Sequence, residues 1–337
     1  MLPYLFVFPL ILLLASFRQL KYGKQLAMTL LVLFIGLRDN VGVDYENYQR
    51  IYENIDETVI EPLFWLVNVS VSWLSLEVWG VMFVCAAVMI YFLHLTLLRT
   101  PFYIFGLFLF LMQGYDTSVN VVRQAVAMAI FLYSLRYIVD RHFLKYLIFI
   151  LLAASFHISA LFLIPLYYFA GMRIRTVLYS VVFIIVWLIS QFNIFYNALL
   201  WLVGLTPYGS YVMKGYYLNQ TKVNSGFGFL FDNLVGLAVM LGAHPFLKKY
   251  PQFRVYFNVY FLYLLTKNLF FNVEIFSRIV LYFQWSLFIV LPLFIISVYN
   301  HKSRGIVTAV FCLAYMLLFY MGISNDTYRL DYKLIDF

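Results

Sequence analysis

The chain has 337 residues, of which 64% are hydrophobic and only 11% are charged. Soluble globular domains carry about 25% charged residues, so this composition excludes an ordinary soluble protein. Apolar runs recur along the whole length and predict an all-α, polytopic integral membrane protein. Both cysteines lie inside apolar runs and indicate neither a disulfide framework nor a metal site.

The apolar runs form a series of candidate membrane spans along the chain. They lie at about residues 2–17, 25–37, 77–98, 101–114, 117–138, 176–196, 227–246, 254–273, 278–299 and 304–322. Residues 62–76 are short for a span, whereas residues 143–170 are too long for one span and short for two. We therefore predict a single transmembrane domain, residues 1–337, with about 10–13 transmembrane or re-entrant helices.

The basic residues lie mostly in turns between these runs. Fourteen of the 23 Lys and Arg can face the cytoplasm together if 62–76 lies at the interface and 143–170 enters the membrane and returns. The net charge of +8 is then a topology signal, which argues against a nucleic-acid partner. This layout places both termini, an acidic insert at about 38–61 and a second loop at about 206–226 outside the cytoplasm. An alternative layout, in which every apolar run spans, remains open.

The acidic insert contains seven of the chain's fifteen carboxylates, together with several tyrosines. Carboxylates accept hydrogen bonds from sugar hydroxyls, and tyrosine offers an apolar ring face with a polar tip. We interpret five of its residues as candidate site residues: Arg38, Asp44, Tyr45, Tyr48 and Glu61. A solvated loop would contain the same types of residue.

Arg123 lies in an otherwise apolar run, YDTSVNVVRQAVAMAIFLYSLRY. Asn120, Arg123, Gln124 and Ala127 are three and four residues apart, so we expect them to share one helix face. An arginine at membrane depth must be paired or must line a cavity. Its guanidinium suits bidentate contact with phosphate, but an ion pair with an acid of the insert is the alternative.

His157 is the one histidine that does not lie near a predicted cytoplasmic end. We predict that the helix within 143–170 breaks at Ser155-Phe156-His157, and such breaks are tolerated only beside protein or a wet cavity. An imidazole placed there can act as a general base or simply hydrogen-bond to the backbone.

A further pair, Glu274 and Arg278, is spaced four residues apart, and Tyr282 follows one turn later. A salt bridge at a helix start is the simpler interpretation, but Arg278 falls on the same predicted side as the insert. No Asp-x-Asp metal site, zinc spacing or glycine-rich phosphate loop occurs in the sequence, so we expect no metal and no cofactor.

Several segments, in order over about residues 30–285, resemble the EpsG family of Wzy-type polysaccharide polymerases. The matching segments are Gly36–Glu53, Glu61–Phe64, Asn120–Gln124 with Ala125, Ala127, Arg136 and Tyr137, Lys145–Tyr146 with Ala154–Ala160 and Pro165, and Ser277–Ile279 with Tyr282 and Phe283. No single motif is diagnostic; the ordered set carries the resemblance.

The resemblance implies a polymerase with a GT-C-like helical fold in the bacterial cytoplasmic membrane. It would transfer undecaprenyl-diphosphate-linked glycan onto a lipid-linked repeat unit at the outer face, without a metal. The implied partners are that lipid-linked oligosaccharide and membrane lipid; whether the chain works alone or with a chain-length regulator stays open. The product would be an O-antigen or an exopolysaccharide.

We assign roles from the residue types. His157, with Asp44 as second choice, would be the base for the acceptor hydroxyl, and Arg123 and Arg278 would stabilise the diphosphate. The substrate-binding candidates are Arg38, Tyr45, Tyr48, Glu61, Asn120, Gln124 and Tyr282. A ligase passing glycan to lipid A or protein, a transporter or flippase of the lipid-linked sugar, and an acyltransferase are the alternatives.

Overall fold

The structure, a computed structural model, describes residues 2–17, 19–192, 201, 226–270, 274–324 and 332–335. The structure is 80% helical with almost no strands, which confirms the all-α prediction. The predicted external loop at 206–226 lies outside the described residues, except for Gly226. The chain divides into two units, Met1–Tyr167 with Gly305–Phe337, and Tyr168–Arg304. The prediction of a single domain stays a prediction.

The first unit contains most of the residues that the sequence singles out. In chain order its elements are α1 (Leu2–Ser16), α2 (Gly23–Gly36), β1 (Arg38–Asp39), α3 (Tyr45–Glu53), α4 (Pro62–Trp73), α5 (Val78–Leu97), α6 (Tyr103–Leu109), a π-helical turn (Phe110–Gly114), α7 (Tyr115–Asn120), α8 (Val122–Val139), α9 (Phe143–Ala154) and a 3₁₀ helix (Ile158–Leu163). The short helix α10 (Leu166–Ala170) leads into the second unit.

The second unit continues with α11 (Thr176–Ser190), α12 (Phe227–Leu241), α13 (Ala243–Lys249), a 3₁₀ turn (Pro251–Phe253), α14 (Arg254–Leu269), α15 (Glu274–Gln284) and α16 (Leu287–Val298). Helix α17 (His301–Ser324) then returns the chain to the first unit, which ends with β2 (Lys333–Leu334).

Among the described residues, three helices are long and apolar enough to cross a bilayer: α5, α8 and α17. Two bent pairs bring the number to five if each is one span. These are α12 with α13, bent by 58°, and Arg278–Gln284 of α15 with α16, bent by 42°. Five further apolar helices are shorter, among them α4 and α9. The chain is therefore a multi-pass helical membrane protein, as the sequence predicts.

The helix boundary before Arg123 differs from the prediction. The sequence places it between runs 101–114 and 117–138, but the helical path continues through the π-helical turn to Asn120 and breaks at Val121. A side chain from the insert causes this termination, since Arg38 Nη2 donates to the Val119 carbonyl at 3.0 Å. Basic side chains commonly satisfy the last carbonyls of a helix in this way. Asn120 and Arg123 therefore lie on different helices, and the prediction of one shared face is wrong.

The predicted break at residues 155–157 is confirmed. Helix α9 ends at Ala154, and a 3₁₀ helix starts at Ile158. The chain then runs back along α9, since the Tyr146 hydroxyl donates to the Leu163 carbonyl at 2.6 Å. Residues 143–167 thus form a hairpin whose tip carries His157.

The base of the insert is fixed by Arg38, whose side chain is fully buried. Besides Val119, its guanidinium donates to the carbonyls of Val41, at 3.0 Å, and Ile35. The two-residue strand β2, near the C-terminus, pairs antiparallel with β1 beside it. These contacts join the two ends of the first unit at the start of the insert.

Residues flanking β2 add to this junction. The Tyr332 ring stacks on Phe34 with centroids 4.3 Å apart and planes 10° apart, and its hydroxyl donates to the Phe34 carbonyl. The Ile335 amide donates to the Leu37 carbonyl at 3.1 Å. The end of the chain thus lies against the end of α2.

We expect Gly42→Ala to destabilise the first unit. Gly42 has φ +107°, which side-chain-bearing residues rarely adopt, and an added Cβ would lie 2.7 Å from the Val119 carbonyl oxygen. Strain of this kind costs about 1–3 kcal/mol. The measurement is the thermal unfolding midpoint in detergent, with Gly305→Ala, whose Cβ would meet open space, as the control. An unchanged midpoint for Gly42→Ala would show that the loop adapts.

In the second unit, two consecutive polar residues of α12 contact two consecutive polar residues of α14. Lys267 forms an ion pair with Asp232, and the adjacent Asn268 donates to the Asn233 side chain at 2.7 Å. Tyr263 contacts the same carboxylate at 3.4 Å. Ionisable groups within apolar helices are costly unless paired, so this pairing fixes how the two helices align.

Candidate functional site

Glu61 lies where the acidic insert ends and α4 begins. The following residue, Pro62, disfavours the helical conformation at Glu61 and suits the first position of a helix. Glu61 accordingly has an extended backbone, φ −64° and ψ 143°, and is the N-cap residue of α4. Because the N-terminus of a helix favours negative charge, this local sequence places a carboxylate where it is stabilised.

The start of α4 and the tip of the 143–167 hairpin bind each other. Leu63 N–H donates to the Ser155 carbonyl at 2.9 Å, and Phe64 N–H reaches the same oxygen at 3.4 Å. In return, Ile158 N–H, which opens the 3₁₀ helix, donates to Glu61 Oε1 at 3.1 Å. Each helix start thereby satisfies backbone groups that would otherwise lack partners.

The Glu61 carboxylate also bridges two side chains from other elements. Arg123 Nη1, from the first turn of α8, lies 2.7 Å from Glu61 Oε2. His157 Nδ1 lies 3.2 Å from Glu61 Oε1, an ion-pair distance rather than a well-directed hydrogen bond. The side chain of Arg123 is 22% exposed, that of Glu61 is 11% exposed and that of His157 is 14% exposed. A solute can therefore still reach the cluster.

The surroundings keep Glu61 ionised. Burial raises its pKa, but the contact with His157, the Arg123 charge and the Ile158 amide outweigh that effect and lower the pKa to about 2. Arg123 in turn lies 5.4 Å from the centroid of the Phe64 ring, which packs edge-on against Tyr48. At neutral pH the cluster therefore contains the ionised Glu61 carboxylate, with the Arg123 guanidinium on one oxygen and the His157 ring on the other.

This arrangement can perform acid–base chemistry beside an anion site. The described part of the chain provides no partner for His157 Nε2, which is not buried, so that nitrogen can exchange a proton with a bound group. The guanidinium has five N–H donors and uses Nη1 on Glu61, which leaves others for an anionic ligand. Within the described residues, no group of three or more His, Cys, Asp or Glu is arranged to hold a metal ion.

Comparison with protein families gives a match over residues 21–334, nearly the whole chain. The chain belongs to the EpsG family. EpsG proteins form a Wzy-like polysaccharide polymerase family, so a role in polysaccharide biosynthesis follows for this membrane protein. Comparison with curated proteins gives no match, and neither does comparison with solved structures.

In this EpsG protein, three candidate residues that are far apart in sequence come together: Glu61, Arg123 and His157. The alternative interpretation of Arg123, an ion pair with an acid of the insert, is observed and identifies Glu61 as that acid. This pairing does not exclude a role in binding phosphate, because the cluster remains partly exposed.

Other candidates from the insert and α7 support the cluster rather than join it. Tyr45 and Tyr48 are nearly buried on α3, and Asp44 is half-buried as the N-cap residue of that helix. Asn120 binds the insert, since its Oδ1 accepts from Val43 N–H at 2.8 Å. Gln124 is buried on α8.

Arg38 has no exposed side-chain surface, and its guanidinium donates to three backbone carbonyls and to the sulfur of Met82. We now interpret it as the anchor of the insert rather than as a residue that touches sugar. Arg278, which is exposed, and Tyr282, which is buried, belong to the second unit. Their roles stay predictions.

Sequence reasoning missed the Asp232–Lys267 pair in the second unit. A signal was present, since each lies as a single charge within an apolar run, as Arg123 does. The central position of Glu61 was also not predicted, although Pro62 directly after it marks a helix start.

Proposed function

We propose that this protein is a polysaccharide polymerase that joins glycan repeats carried on undecaprenyl diphosphate at the outer face of the bacterial cytoplasmic membrane. The observation that carries the proposal is the Glu61–Arg123–His157 cluster in a member of the EpsG family. Such a reaction needs a base for the acceptor hydroxyl and a cation for the leaving diphosphate, and the cluster offers both.

In the proposed reaction, the acceptor hydroxyl transfers its proton to His157 Nε2 as its oxygen attacks the anomeric carbon of the donor. The new glycosidic bond forms as the bond to the lipid diphosphate breaks, and the electron pair leaves with the diphosphate. Arg123 stabilises the charge that develops there, which is the transition-state contribution expected of a preorganised guanidinium. No metal takes part in this scheme.

The insert supplies carboxylates for substrate binding near the cluster. Asp44 is half-buried and Glu61 is partly exposed, so both can accept hydrogen bonds from sugar hydroxyls, whereas Tyr45 and Tyr48 are buried and support the insert. Arg278 is exposed on α15 in the second unit, and the role in diphosphate binding that its sequence position suggests stays a separate proposal. Lipid-linked repeats would approach from the bilayer, while a chain-length regulator would act on the assembled enzyme.

The test is complementation of a strain that lacks this protein. We expect His157→Ala and Arg123→Ala to leave only single-repeat glycan, because removing a general base or a preorganised charge costs about 100-fold or more. Chain length is read on gels, and membrane levels of each variant are checked. Arg50→Ala, on the exposed side of α3, is the control and should support long chains.

The outcomes separate this function from its alternative. Long chains from both variants at normal protein level would overturn the proposed roles of His157 and Arg123. Complete loss of surface glycan, rather than accumulation of single repeats, would favour a ligase that passes the glycan to lipid A or protein, or a transporter of the lipid-linked oligosaccharide.

A further inference from the structure

We propose that Glu61 is a positioning residue, which holds the His157 imidazole with Nδ1 protonated so that Nε2 is the basic nitrogen. This inference rests on the proposed function, because it assigns how the base of that reaction is prepared. It concerns the protein's own atoms, however, and can be tested without any substrate.

The first step is that the two oxygens of the Glu61 carboxylate have different partners. Oε2 accepts from Arg123 at 2.7 Å, whereas Oε1 accepts from Ile158 N–H at 3.1 Å and faces His157 Nδ1 at 3.2 Å. An ionised carboxylate only accepts hydrogen bonds, so a lone pair on Nδ1 facing Oε1 would be repelled. The neutral imidazole therefore carries its proton on Nδ1 and its lone pair on Nε2.

The second step is that Glu61 cannot easily turn away from the ring. Pro62 fixes the backbone of Glu61, and Leu63 N–H ties the start of α4 to the Ser155 carbonyl, two residues before His157. The carboxylate itself is held by Ile158 N–H on Oε1 and by Arg123 on Oε2, so it stays beside the imidazole. Such preorganisation spares the cost of reorientation during the reaction.

The third step concerns charge. When Nε2 takes the acceptor proton, the ring becomes an imidazolium, and the adjacent carboxylate stabilises it. Arg123 faces the same carboxylate from α8 and opposes part of that effect. Among the described residues, Glu61 from the start of α4 is the charged group that contacts the ring, Arg123 from α8 contacts the other oxygen of that carboxylate, and Tyr48 from α3 lies beside Arg123.

The first measurement is the ¹⁵N NMR spectrum of histidine-labelled protein in detergent, with His157→Gln identifying the His157 signal. We expect the shift of an unprotonated nitrogen at Nε2 and of a protonated nitrogen at Nδ1 in neutral His157. The opposite tautomer, or an equal mixture, would overturn the proposal. This measurement needs no change at Glu61, so it does not depend on how a Glu61 variant folds.

The second measurement compares Glu61→Gln with Glu53→Gln, a change at an exposed acid of the same insert. Glu61→Gln removes a negative charge within hydrogen-bonding distance of the ring, so the imidazolium loses a stabilising neighbour. The acid limb of the pH–rate profile should therefore move to lower pH, and the elongation rate should fall by about 10-fold or more. A Glu61→Gln variant that matches Glu53→Gln in His157 titration would overturn the proposal.

The two proposals fail in different ways. A Glu61→Gln variant that shifts the His157 titration supports the positioning role even if His157→Ala still makes long chains, in which case the polymerase assignment of His157 fails. If the His157 titration is unshifted in Glu61→Gln but His157→Ala loses polymer, His157 remains the proposed base and the positioning role of Glu61 is wrong.

Discussion

Arg123→Lys is expected to lose most chain elongation although it keeps the positive charge. In the structure Nη1 of Arg123 binds Glu61 at 2.7 Å, while the planar guanidinium retains further donors on the same fork. A lysine ammonium can bind the Glu61 carboxylate or a diphosphate, but it lacks the planar set of N–H donors with which a guanidinium can bind both at once. Loss of one preorganised donor to a developing anion costs about 100- to 1,000-fold in rate.

The measurement for Arg123→Lys is the rate of repeat addition in membrane vesicles supplied with lipid-linked repeats. Arg50→Lys is the matched control, since Arg50 is exposed on α3 and its side chain donates to the Glu46 carbonyl of its own helix, at 3.4 Å. Elongation by Arg123→Lys at the rate of this control would mean that charge alone suffices and that the fork is not used.

Arg38→Met is expected to cause the largest loss of stability among single changes in the insert. Methionine fills much of the same volume, but it leaves the buried carbonyls of Ile35, Val41 and Val119 without their donor. Each buried group left unpaired costs about 1–3 kcal/mol, so the total loss is about 3 kcal/mol or more. The Val119 carbonyl lies next to the helix break that precedes Arg123, so the site should loosen as well.

For Arg38→Met, the measurement is the unfolding midpoint in detergent together with the rate of proteolysis in the insert. Arg50→Met removes an exposed arginine from the same segment and should leave both unchanged. A midpoint for Arg38→Met equal to that of Arg50→Met would show that the three carbonyls find other donors.

The helical fold is predictable from the sequence because long apolar runs indicate membrane-spanning helices and basic turns indicate their orientation. The break at Ser155–His157 was also predictable, since residues 143–170 fit neither one span nor two, and a polar Ser-Phe-His lies at their centre. Arg123 was singled out because a charge is costly in an apolar helix, His157 because it lies at the predicted break, and Glu61 because it belongs to the acidic insert.

Their contacts were not predictable from the same signals. Arg123 could have paired with any of seven acids in the insert, and 62 residues separate it from Glu61. What selects Glu61 is the fixed start of α4 against Ser155, a tertiary contact with no local pattern. The helix end at Asn120 was missed for a similar reason, because a distant side chain, Arg38, takes the Val119 carbonyl.

The pairing of β1 with β2 also sets an order of events during synthesis. Phe34 and Tyr332, which meet beside this pair, are separated by 298 residues of sequence. At a translation rate of 5–20 residues per second, Tyr332 is synthesised about 15–60 s after Phe34. Throughout that time the two-residue strand at the base of the acidic insert has an open edge. The first unit therefore completes after the second has left the ribosome, and truncated chains would lack this closing contact.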